Sequence, residues 1–385
     1  MRVLHAISGI DPTNGGPTQA LLGLTAAQAR AGLHVHVVST WMLQAGLDNA
    51  ETFRSARVGM TMVGPATGKL NAHPELRPTL EKLAGDADVV HIHSLWQEAQ
   101  HAAATAARKA GVPYVMRACG GLHPWSMNQS RWRKRLYLAW RLRRHLNRAA
   151  AIHFTTHAER DAAFAVKAPA IVEPNGTELA GRPLPDRAAA ERALREKYPA
   201  LGDRPILLFL GRVHAKKGLD RLMPALADAR LDVPPALLIA GPEEDAAVAA
   251  EVRRIAAERG MTDRVIFTGP LDRAGTIEAL SGAGMLVLTS YTENFGIAVI
   301  EALAVGTPVL VSDRVECIGY FGDVNVGPIV PLEHKAIVEA LETWVPDDER
   351  RRAAGLRGAR LAAEKFDWDQ IAGRWIGHYE AMVGR

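Results

Sequence analysis

Cysteine is scarce in this chain, and its uninterrupted apolar runs are short. The 385 residues include two cysteines, Cys119 and Cys317, which excludes a disulfide framework and any metal site built from four cysteines. No uncharged apolar run reaches the roughly 18 residues that a membrane-spanning helix requires. The opening "MRVLHAISGI" lacks the basic region and long apolar run of a signal peptide. These absences predict a cytoplasmic protein.

The composition is that of a folded protein with a sizeable core, because 48% of the residues are hydrophobic and 23% are charged. A length of 385 residues exceeds one ordinary domain and suits two. Six strand-like runs in the first half and five in the second alternate with helical patterns, which is typical of parallel sheets with helices on both faces. The sequence therefore predicts an α/β protein with two doubly wound, Rossmann-like domains that face each other across a cleft.

The boundary between the two domains is predicted at 173–191, "EPNGTELAGRPLPDRAAAE", a stretch rich in proline, glycine and alanine without a strand-like run. We place the N-terminal domain at 1–180 and the C-terminal domain at 181–365. A final helix over 366–385 either covers the C-terminal domain or, as we expect, packs back onto the N-terminal one. Each domain should bind ligands beyond the carboxyl ends of its strands.

Positive charge is concentrated in the segment 131–148, where eight of 18 residues are Lys or Arg. Large apolar side chains recur among them at roughly helical spacing, namely Trp132, Leu136, Trp140, Leu142 and Leu146. Such a helix suits an anionic membrane surface or an acidic ligand. It equally suits a helix that docks its apolar side on the core and exposes a basic face. Nucleic acid is a weaker alternative, and we expect none, because no binding motif accompanies the charge.

Turns between a strand and a helix carry the candidate binding residues. In the first turn, Gly15 and Gly16 follow the strand "RVLHAI", where glycine lets the backbone approach a ligand and the helix start offers free amides to an anion. This turn lacks the GxGxxG pattern, which argues against NAD or FAD. In a second turn, "GRVHAKKG" places Arg212 and Lys217 after the strand "PILLFL". Two cations beside a helix start suit a diphosphate, although surface cations often serve only solubility.

A third turn, "TSYTENFGIAVIEALA", places Glu293 in a loop and Glu301 in a helix expected to begin near Gly296. Glu301 stands in an apolar run, where a carboxylate is costly to bury unless it is hydrogen-bonded. The two hydroxyl groups of a ribose would supply such bonds. Alternatively, Ser290 and Glu293 form a capping box without any ligand, and Glu301 is a surface residue of the helix.

These pieces, in this order, make the sequence resemble the family 4 retaining glycosyltransferases of the GT-B fold, of the polysaccharide-assembly type. The resemblance covers most of the chain and rests on Gly15-Gly16, "EPNG", "GRVHAKKG", "ENFGIAVIE" as an E-x7-E motif, "ALAVGTPVLVSD" and "FDWDQIAGRWIGHYE". It implies a C-terminal domain that binds a nucleotide-sugar donor, with UDP or GDP as the nucleotide, and an N-terminal domain that binds a glycan or lipid-linked acceptor. It further implies a metal-independent hexosyltransferase of cell-surface or exopolysaccharide synthesis, at the inner face of the membrane.

By the resemblance, Arg212 and Lys217 neutralise the donor diphosphate, Glu301 holds the ribose, and Glu293 contacts the hydroxyl groups of the donor sugar. The third turn adds further donor contacts, from Asn294, Phe295, Gly296 and Ile297. Retention is implied as well: the sugar moves to the face from which the nucleotide leaves, and the leaving diphosphate takes the proton of the acceptor. Arg212, Lys217 and Glu293 are thus the implied catalytic residues.

The resemblance also places residues around the rest of the donor. Gly269 ends the strand "RVIFTG", so its loop lies near the base, and Gly15 and Gly16 approach the phosphate and sugar from the other domain. Many relatives carry a histidine after the strand that corresponds to "PYVMRA". In this chain Cys119 takes that place, and His123 follows four residues later as an alternative catalytic residue or an ordinary loop histidine.

No metal and no cofactor are expected beyond the nucleotide-sugar substrate. The two D-x-D triplets, at 86–88 and 367–369, read as turn and capping residues. His91 and His93 share one strand face, yet the sequence suggests no third ligand nearby. Two other functions stay open: a sugar-nucleotide epimerase on the same architecture, and a catalytically silent nucleotide-sugar-binding protein.

Overall fold

The computed structural model describes residues 1–11, 16–128 and 131–384 and divides the chain into two compact units. Unit 1 comprises Met1–Gly176 together with Trp368–Arg385, and unit 2 comprises Thr177–Asp367. The chain therefore passes into unit 2 four residues before the predicted limit at 180 and returns two residues after 365. Within the described ranges, no helix combines the length and the apolar character that crossing a lipid bilayer requires.

Unit 1 is built on one parallel sheet of seven strands in the order β3-β2-β1-β4-β5-β6-β7. The strands are β1 Arg2–Ile7, β2 His34–Thr40, β3 Gly59–Val63, β4 Val89–His93, β5 Tyr114–Arg117, β6 Ala151–Phe154 and β7 Ala170–Val172. The helices are α1 Gly16–Arg30, α2 Gln44–Ser55, α3 Leu76–Gly85, α4 Glu98–Ala110, α5 Pro124–Asn128, α6 Arg131–Tyr137, α7 Arg143–Leu146 and α8 His157–Ala162, and from the end of the chain α16 Trp368–Val383. A π-helical turn, Leu138–Leu142, joins α6 to α7.

Helices cover both faces of this sheet. Successive side chains of a strand point to opposite faces, so both sets of side chains are buried. In β2, Val38 packs in a core with Leu76 and Leu80 of α3, whereas Val37 packs in a second core with Phe53 of α2. The near-continuous apolar strands of unit 1 thus follow from burial on both sides.

Helix α16 packs against α1 of unit 1, and a chain of buried polar side chains ties it to the strands. The hydroxyl of Tyr379 lies 2.7 Å from Nδ1 of His91 and 3.2 Å from Nε2 of Gln28. From Gln28 the chain continues to His5, whose Nε2 is 2.8 Å from Oε1 of the amide. Nδ1 of His5 then lies 2.9 Å from Nε2 of His93.

The other branch of this chain ends at Glu173. Nε2 of His91 lies 3.3 Å from Nδ1 of His153, and Nε2 of His153 lies 2.9 Å from the carbonyl oxygen of Glu173. The carboxylate of Glu173 pairs with Arg374 and His378 of α16 at 2.8 and 3.1 Å. With neutral imidazoles all donating in one sense, every bond of the chain has one donor and one acceptor. Burial favours that state, because it lowers the pKa of all four buried histidines.

Unit 2 contains a second parallel sheet, of six strands in the order β10-β9-β8-β11-β12-β13. The strands are β8 Ile206–Leu210, β9 Ala236–Ala240, β10 Val265–Gly269, β11 Met285–Leu288, β12 Val309–Ser312 and β13 Ile329–Val330. The helices are α9 Arg187–Lys197, α10 Leu219–Asp228, α11 Ala246–Glu258, α12 Arg273–Gly282, α13 Ile297–Ala304, α14 His334–Trp344 and α15 Asp348–Lys365.

The order of the strands reverses once in each sheet, between β1 and β4 in unit 1 and between β8 and β11 in unit 2. At such a switch point the connections leave in opposite directions, which opens a crevice beyond the carboxyl ends of the strands where ligands bind. The loops that follow β8 and β11 carry Lys217 and Glu293. The sheet topology of unit 2 thus predicts a ligand site at these two loops.

Candidate functional site

Lys217 and Glu293 form an ion pair at the switch point of unit 2. Lys217 comes from the loop after β8 and Glu293 from the loop after β11, and their side chains are only 18% and 22% exposed. The loops can approach because residue 218 is glycine: a Cβ at Gly218 would collide with the carbonyl oxygen of Thr289. The positive φ of Gly218, 70°, also favours glycine there.

Two more charged residues surround this pair. Arg212, also in the loop after β8, donates from Nη1 to Oε2 of Glu244 at 2.6 Å, and both side chains are about half exposed. Lys216 adjoins Lys217 in the same loop: burial is the main cause of its lowered pKa, with Glu293 and Glu244 opposing the shift and Lys217 and Arg212 adding to it. The site is thus a cluster of three cations and two carboxylates.

The start of α13 is fixed by backbone contacts beside this cluster. Gly296 caps the helix with a φ of 91°, a left-handed conformation that favours glycine. Glu293 is held by main-chain bonds, since its amide donates to the carbonyl of Arg314 and its carbonyl accepts from the amide of Glu316, both at 3.1 Å. The alternative capping box is absent: Ser290 is fully buried well before the helix, and its carbonyl accepts a bond from Ser312 Oγ at 2.6 Å.

Glu301 lies in the fifth position of α13 and its side chain is 15% exposed, so it is not the surface residue of the alternative interpretation. Arg273, the first residue of α12, bridges two carboxylates, with Nη1 at 2.7 Å from Glu301 and Nε at 2.7 Å from Glu178. Burial raises the pKa of Glu301, and the neighbouring Arg273 counters that rise. Arg273 therefore provides a hydrogen bond and an opposite charge for the carboxylate in this apolar run.

The structure brings some of the predicted site residues together and leaves others apart. Gly269 ends β10 with a φ of 70°, and Phe295 is buried beneath the α13 turn at 3% exposure. Gly16 is the first residue of α1 in unit 1, whereas Gly15 lies outside the described residues. Neither glycine belongs to the unit that contains Lys217.

Cys119 and His123, the two candidates for the place of the family's histidine, lie in one turn after β5 of unit 1. Cys119 has a φ of 48°, and burial raises the pKa of its thiol, which disfavours the nucleophilic thiolate. The amide of the next residue, Gly120, donates to the buried carboxylate of Glu159 at 2.5 Å. His123 is half-buried, and its own amide donates to the carbonyl of Gly120 at 3.2 Å.

Sequence reasoning missed three residues of the site, Glu244, Arg273 and Glu178. Each pairs with a charge far away in sequence, and a charged side chain on a surface loop carries no signal of its partner. For Arg273 the sequence does carry a signal, because this residue opens the helix after Gly269, in the loop predicted to lie near the base of the ligand. Lys216 also went unassigned although it adjoins Lys217.

A third histidine lies beside His91 and His93, contrary to the expectation from sequence. His5, opposite His91 on the neighbouring strand, brings three ring nitrogens within 4.8 Å of one another. His5 and His93 are hydrogen-bonded to each other, and His91 is bonded to Tyr379. An ion could enter only by breaking these bonds.

Two family models match the chain. The model described as "Glycosyl transferase 4-like domain" matches residues 15–176, and "Glycosyl transferases group 1" matches residues 190–360. The first match falls in unit 1 and the second in unit 2, with the switch-point loops inside the second.

Curated relatives are similar over part or all of the chain. A D-inositol 3-phosphate glycosyltransferase of Xylanimonas cellulosilytica is 31% identical over 53% of this chain and 48% of the relative. The chain thus spans about half the length of that relative. A GDP-mannose:cellobiosyl-diphosphopolyprenol alpha-mannosyltransferase of Xanthomonas campestris is 26% identical over 100% of this chain and 98% of the relative.

Solved structures show the same fold. HepE of Anabaena, crystallised in complex with UDP and glucose, superposes with a TM-score of 0.78 at 18% sequence identity, covering 99% of this chain and 100% of that one. At that identity the likeness establishes the fold alone. Taken with the two family models, it shows that the chain belongs to the family 4 glycosyltransferases of the GT-B fold.

Proposed function

We propose that the protein transfers a sugar, with retention, from a nucleotide-diphosphate sugar to a glycan or lipid-linked acceptor. The observation that carries the proposal is the cluster of Arg212, Lys216 and Lys217 with Glu293 at the switch point of unit 2. Family membership supports the reaction class, and the position beyond β8 and β11 is where a doubly wound sheet binds nucleotides.

In this proposal the cations bind the donor diphosphate. Lys217 and Arg212 are at present paired with Glu293 and Glu244, so a diphosphate competes with those carboxylates for the same cations. Because it carries more charge than one carboxylate and more acceptor oxygens, it is the stronger partner. Lys217, released from its pair, then stabilises the negative charge that grows on the leaving diphosphate.

Glu301 holds the ribose. Its carboxylate is kept in place by Arg273 at 2.7 Å, and the remaining lone pairs can accept bonds from the two ribose hydroxyl groups. Glu293, freed from Lys217, accepts bonds from the hydroxyl groups of the donor sugar. The amides at the start of α13 offer further donors to the phosphate.

The chemistry breaks the bond between the anomeric carbon and the oxygen of the diphosphate and forms a bond from the acceptor oxygen to the same carbon, on the same face. The acceptor proton passes to the leaving diphosphate. The protein supplies charge stabilisation and orientation, and neither a metal nor a cofactor is part of the proposal.

GDP-mannose is the first donor to test and a polyprenyl-diphosphate saccharide the first acceptor, because the relative that aligns over the whole chain is named for both. Such an acceptor sits in a membrane, so the proposed location is the inner face of the membrane. The helical segment 131–146 supports that location: Trp132, Leu136 and Trp140 recur every four residues and are 79%, 70% and 77% exposed. In the last turns of the segment, Leu142 and Leu146 are buried instead.

Incubation with a panel of nucleotide sugars, with and without the acceptor, tests the reaction. From the donor alone we expect slow release of nucleotide and free sugar; with the acceptor, nucleotide release should be faster and the sugar should appear on the acceptor. A metal chelator should change neither. Isomerised donor would indicate an epimerase, and binding without turnover a silent binding protein. NMR of the product reports the anomeric configuration, and inversion would overturn the retaining mechanism.

Vesicle sedimentation tests the membrane contact. W132A/W140A should lower binding to anionic vesicles while leaving donor hydrolysis in solution unchanged, because both side chains lie in unit 1 and point to solvent. Equal binding of this variant and the wild type would refute a contact through this segment.

A further inference from the structure

A cavity of about 390 Å³ lies in unit 1 between α3, α4 and the helical segment 131–146, and its wall is basic. Five cationic side chains line it, namely Arg77, Arg108, Lys109, Arg141 and Arg144. In the described part of the chain, no carboxylate joins them in the wall. The cavity is remote in sequence from the donor site and lies wholly within the other unit.

The carboxylates near this wall neutralise only part of its charge. Glu81 contacts Arg77 at 2.8 Å and Lys109 at 2.7 Å, and Glu98 contacts Arg141 at 2.7 Å. Two carboxylates thus compensate two of the five positive charges, and three positive charges remain uncompensated.

Arg108 and Arg144 carry most of that excess, since among the described residues neither pairs with a carboxylate. Burial lowers the pKa of Arg108, and the like charges of Arg144 and Arg148 lower it further. Like charges held together raise the free energy of the unliganded protein. An anion bound between Arg108 and Arg144 relieves that repulsion.

The surroundings of the cavity are apolar and exposed on one side. Trp140 forms part of the wall and is 77% exposed. Trp132 and Leu136 continue the exposed row along the same helical segment. Aromatic and aliphatic side chains of this kind enter the interfacial region of a bilayer, where the phosphate groups of lipids lie.

We propose that this cavity binds the phosphate monoester of an anionic phospholipid such as phosphatidic acid while segment 131–146 lies on the membrane. The inference rests on the membrane contact of the proposed function and adds to it a defined headgroup site. Three uncompensated charges match a phosphate monoester, which carries about −1.5 to −2 at neutral pH. Arginine also bonds phosphate with two parallel N–H groups. At about 30 Å³ for each water in the liquid, the cavity holds a phosphate and several waters.

The test compares R108A/R144A with a control that removes two charges from the same region. Arg133 and Arg143 are exposed, lie outside the cavity and have no carboxylate partner among the described residues, so R133A/R143A is that control. The single variant R144A accompanies them, because the Arg144 side chain is exposed and its removal leaves no hole in the core. Donor hydrolysis and the melting temperature, both without vesicles or phosphate, check that unit 2 and unit 1 are folded in all three.

The first measurement uses vesicles of phosphatidylcholine with and without phosphatidic acid. Loss of two surface charges alone lowers binding by about 30-fold, and that is the most we expect of R133A/R143A. R108A/R144A should lower binding to phosphatidic acid about tenfold further, because charge-assisted bonds to the phosphate are lost as well. R144A should fall between the wild type and R108A/R144A.

The second measurement uses inorganic phosphate against chloride at equal ionic strength. Phosphate should raise the melting temperature of the wild type and of R133A/R143A more than that of R108A/R144A. Equal loss of vesicle binding in the two double variants overturns the headgroup site and leaves the membrane contact standing. Absence of vesicle binding by the wild type overturns the membrane contact itself. A phosphate effect that depends on Arg108 and Arg144, without any difference on vesicles, overturns the lipid as the source of the phosphate.

Discussion

Lys217 and Glu293 form an ion pair between the two loops that flank the reversal of strand order in unit 2. One residue is 76 positions from the other in sequence, and the sheet topology brings them together. Because each charge compensates the other, neither largely buried side chain is left as an unpaired charge before a ligand binds. A diphosphate that enters must replace Glu293 as the partner of Lys217.

Replacement of Lys217 by alanine should lower turnover by about 10²-fold, the scale for removing one preorganised charge donor. The loss should appear mainly in kcat, because the negative charge on the leaving group is larger in the transition state than in the bound donor. K335A is a suitable control, since the Lys335 side chain is 87% exposed on α14. Initial rates of nucleotide release check both variants, and wild-type rates for K217A would remove Lys217 from the mechanism.

The substitution E293Q should separate binding of the nucleotide from transfer of the sugar. A neutral amide no longer competes for Lys217, so we expect the nucleoside diphosphate alone to bind as tightly as before or several-fold tighter. Turnover should fall, because Glu293 is assigned to the sugar hydroxyl groups. Calorimetric titration with the diphosphate and kinetics with the intact donor measure the two effects. Weaker binding of the diphosphate would contradict competition between Glu293 and the ligand.

Arg273 should stabilise unit 2 through Glu301. R273A leaves the carboxylate of Glu301, 15% exposed, without its partner, and we expect a loss of about 1–2 kcal/mol in the free energy of unfolding, discounted for the exposure of Arg273. In the R273A/E301Q double variant the unpaired charge is gone and part of that loss should return. Urea denaturation of the wild type, both single variants and the double variant gives the coupling energy. Strict additivity of the two substitutions would show that the pair contributes nothing.

Acid should destabilise unit 1 through its buried histidines. Burial lowers the pKa of His5 from 6.5 to about 4. Between these two pH values His5 therefore binds a proton in the unfolded chain but stays neutral in the folded one. The free energy of unfolding therefore falls as the pH drops from 6.5 to about 4, by up to about 3 kcal/mol for His5 alone. Urea midpoints across that range check the slope, which should be shallower in H5Q. Identical slopes in the two proteins would contradict the buried neutral state of His5.

The architecture could be predicted from the sequence because strands buried on both faces of a sheet appear as short, mostly apolar runs. Strands such as Val89–His93 and Ala236–Ala240 are buried along their whole length, and most of their residues are apolar. Two strands show no such pattern, for physical reasons: Gly59–Val63 is half-buried at the sheet edge, and Ile329–Val330 has only two residues.

Pairings within the candidate site could be predicted only in part. The β8 and β11 loops were located because each follows an apolar strand and contains glycine. The ion pairs of Arg212 with Glu244 and of Arg273 with Glu178 span 32 and 95 positions, and they depend on how loops from separate strands meet. The same holds for His5, whose place beside His91 follows from strand register and not from spacing along the chain.

The position of α16 bears on how the polypeptide reaches its native state during translation. Thr177–Asp367 is continuous in the chain, whereas the other unit is closed by α16, which leaves the ribosome only after all of Thr177–Asp367. Until Trp375 and Tyr379, both fully buried in the finished protein, emerge from the exit tunnel, the N-terminal segment lacks part of its interior and one of the two hydrogen-bond partners of His91. Domains usually fold in the order in which they are synthesised. Here that order is reversed, because unit 2 can complete its structure while unit 1 still lacks α16.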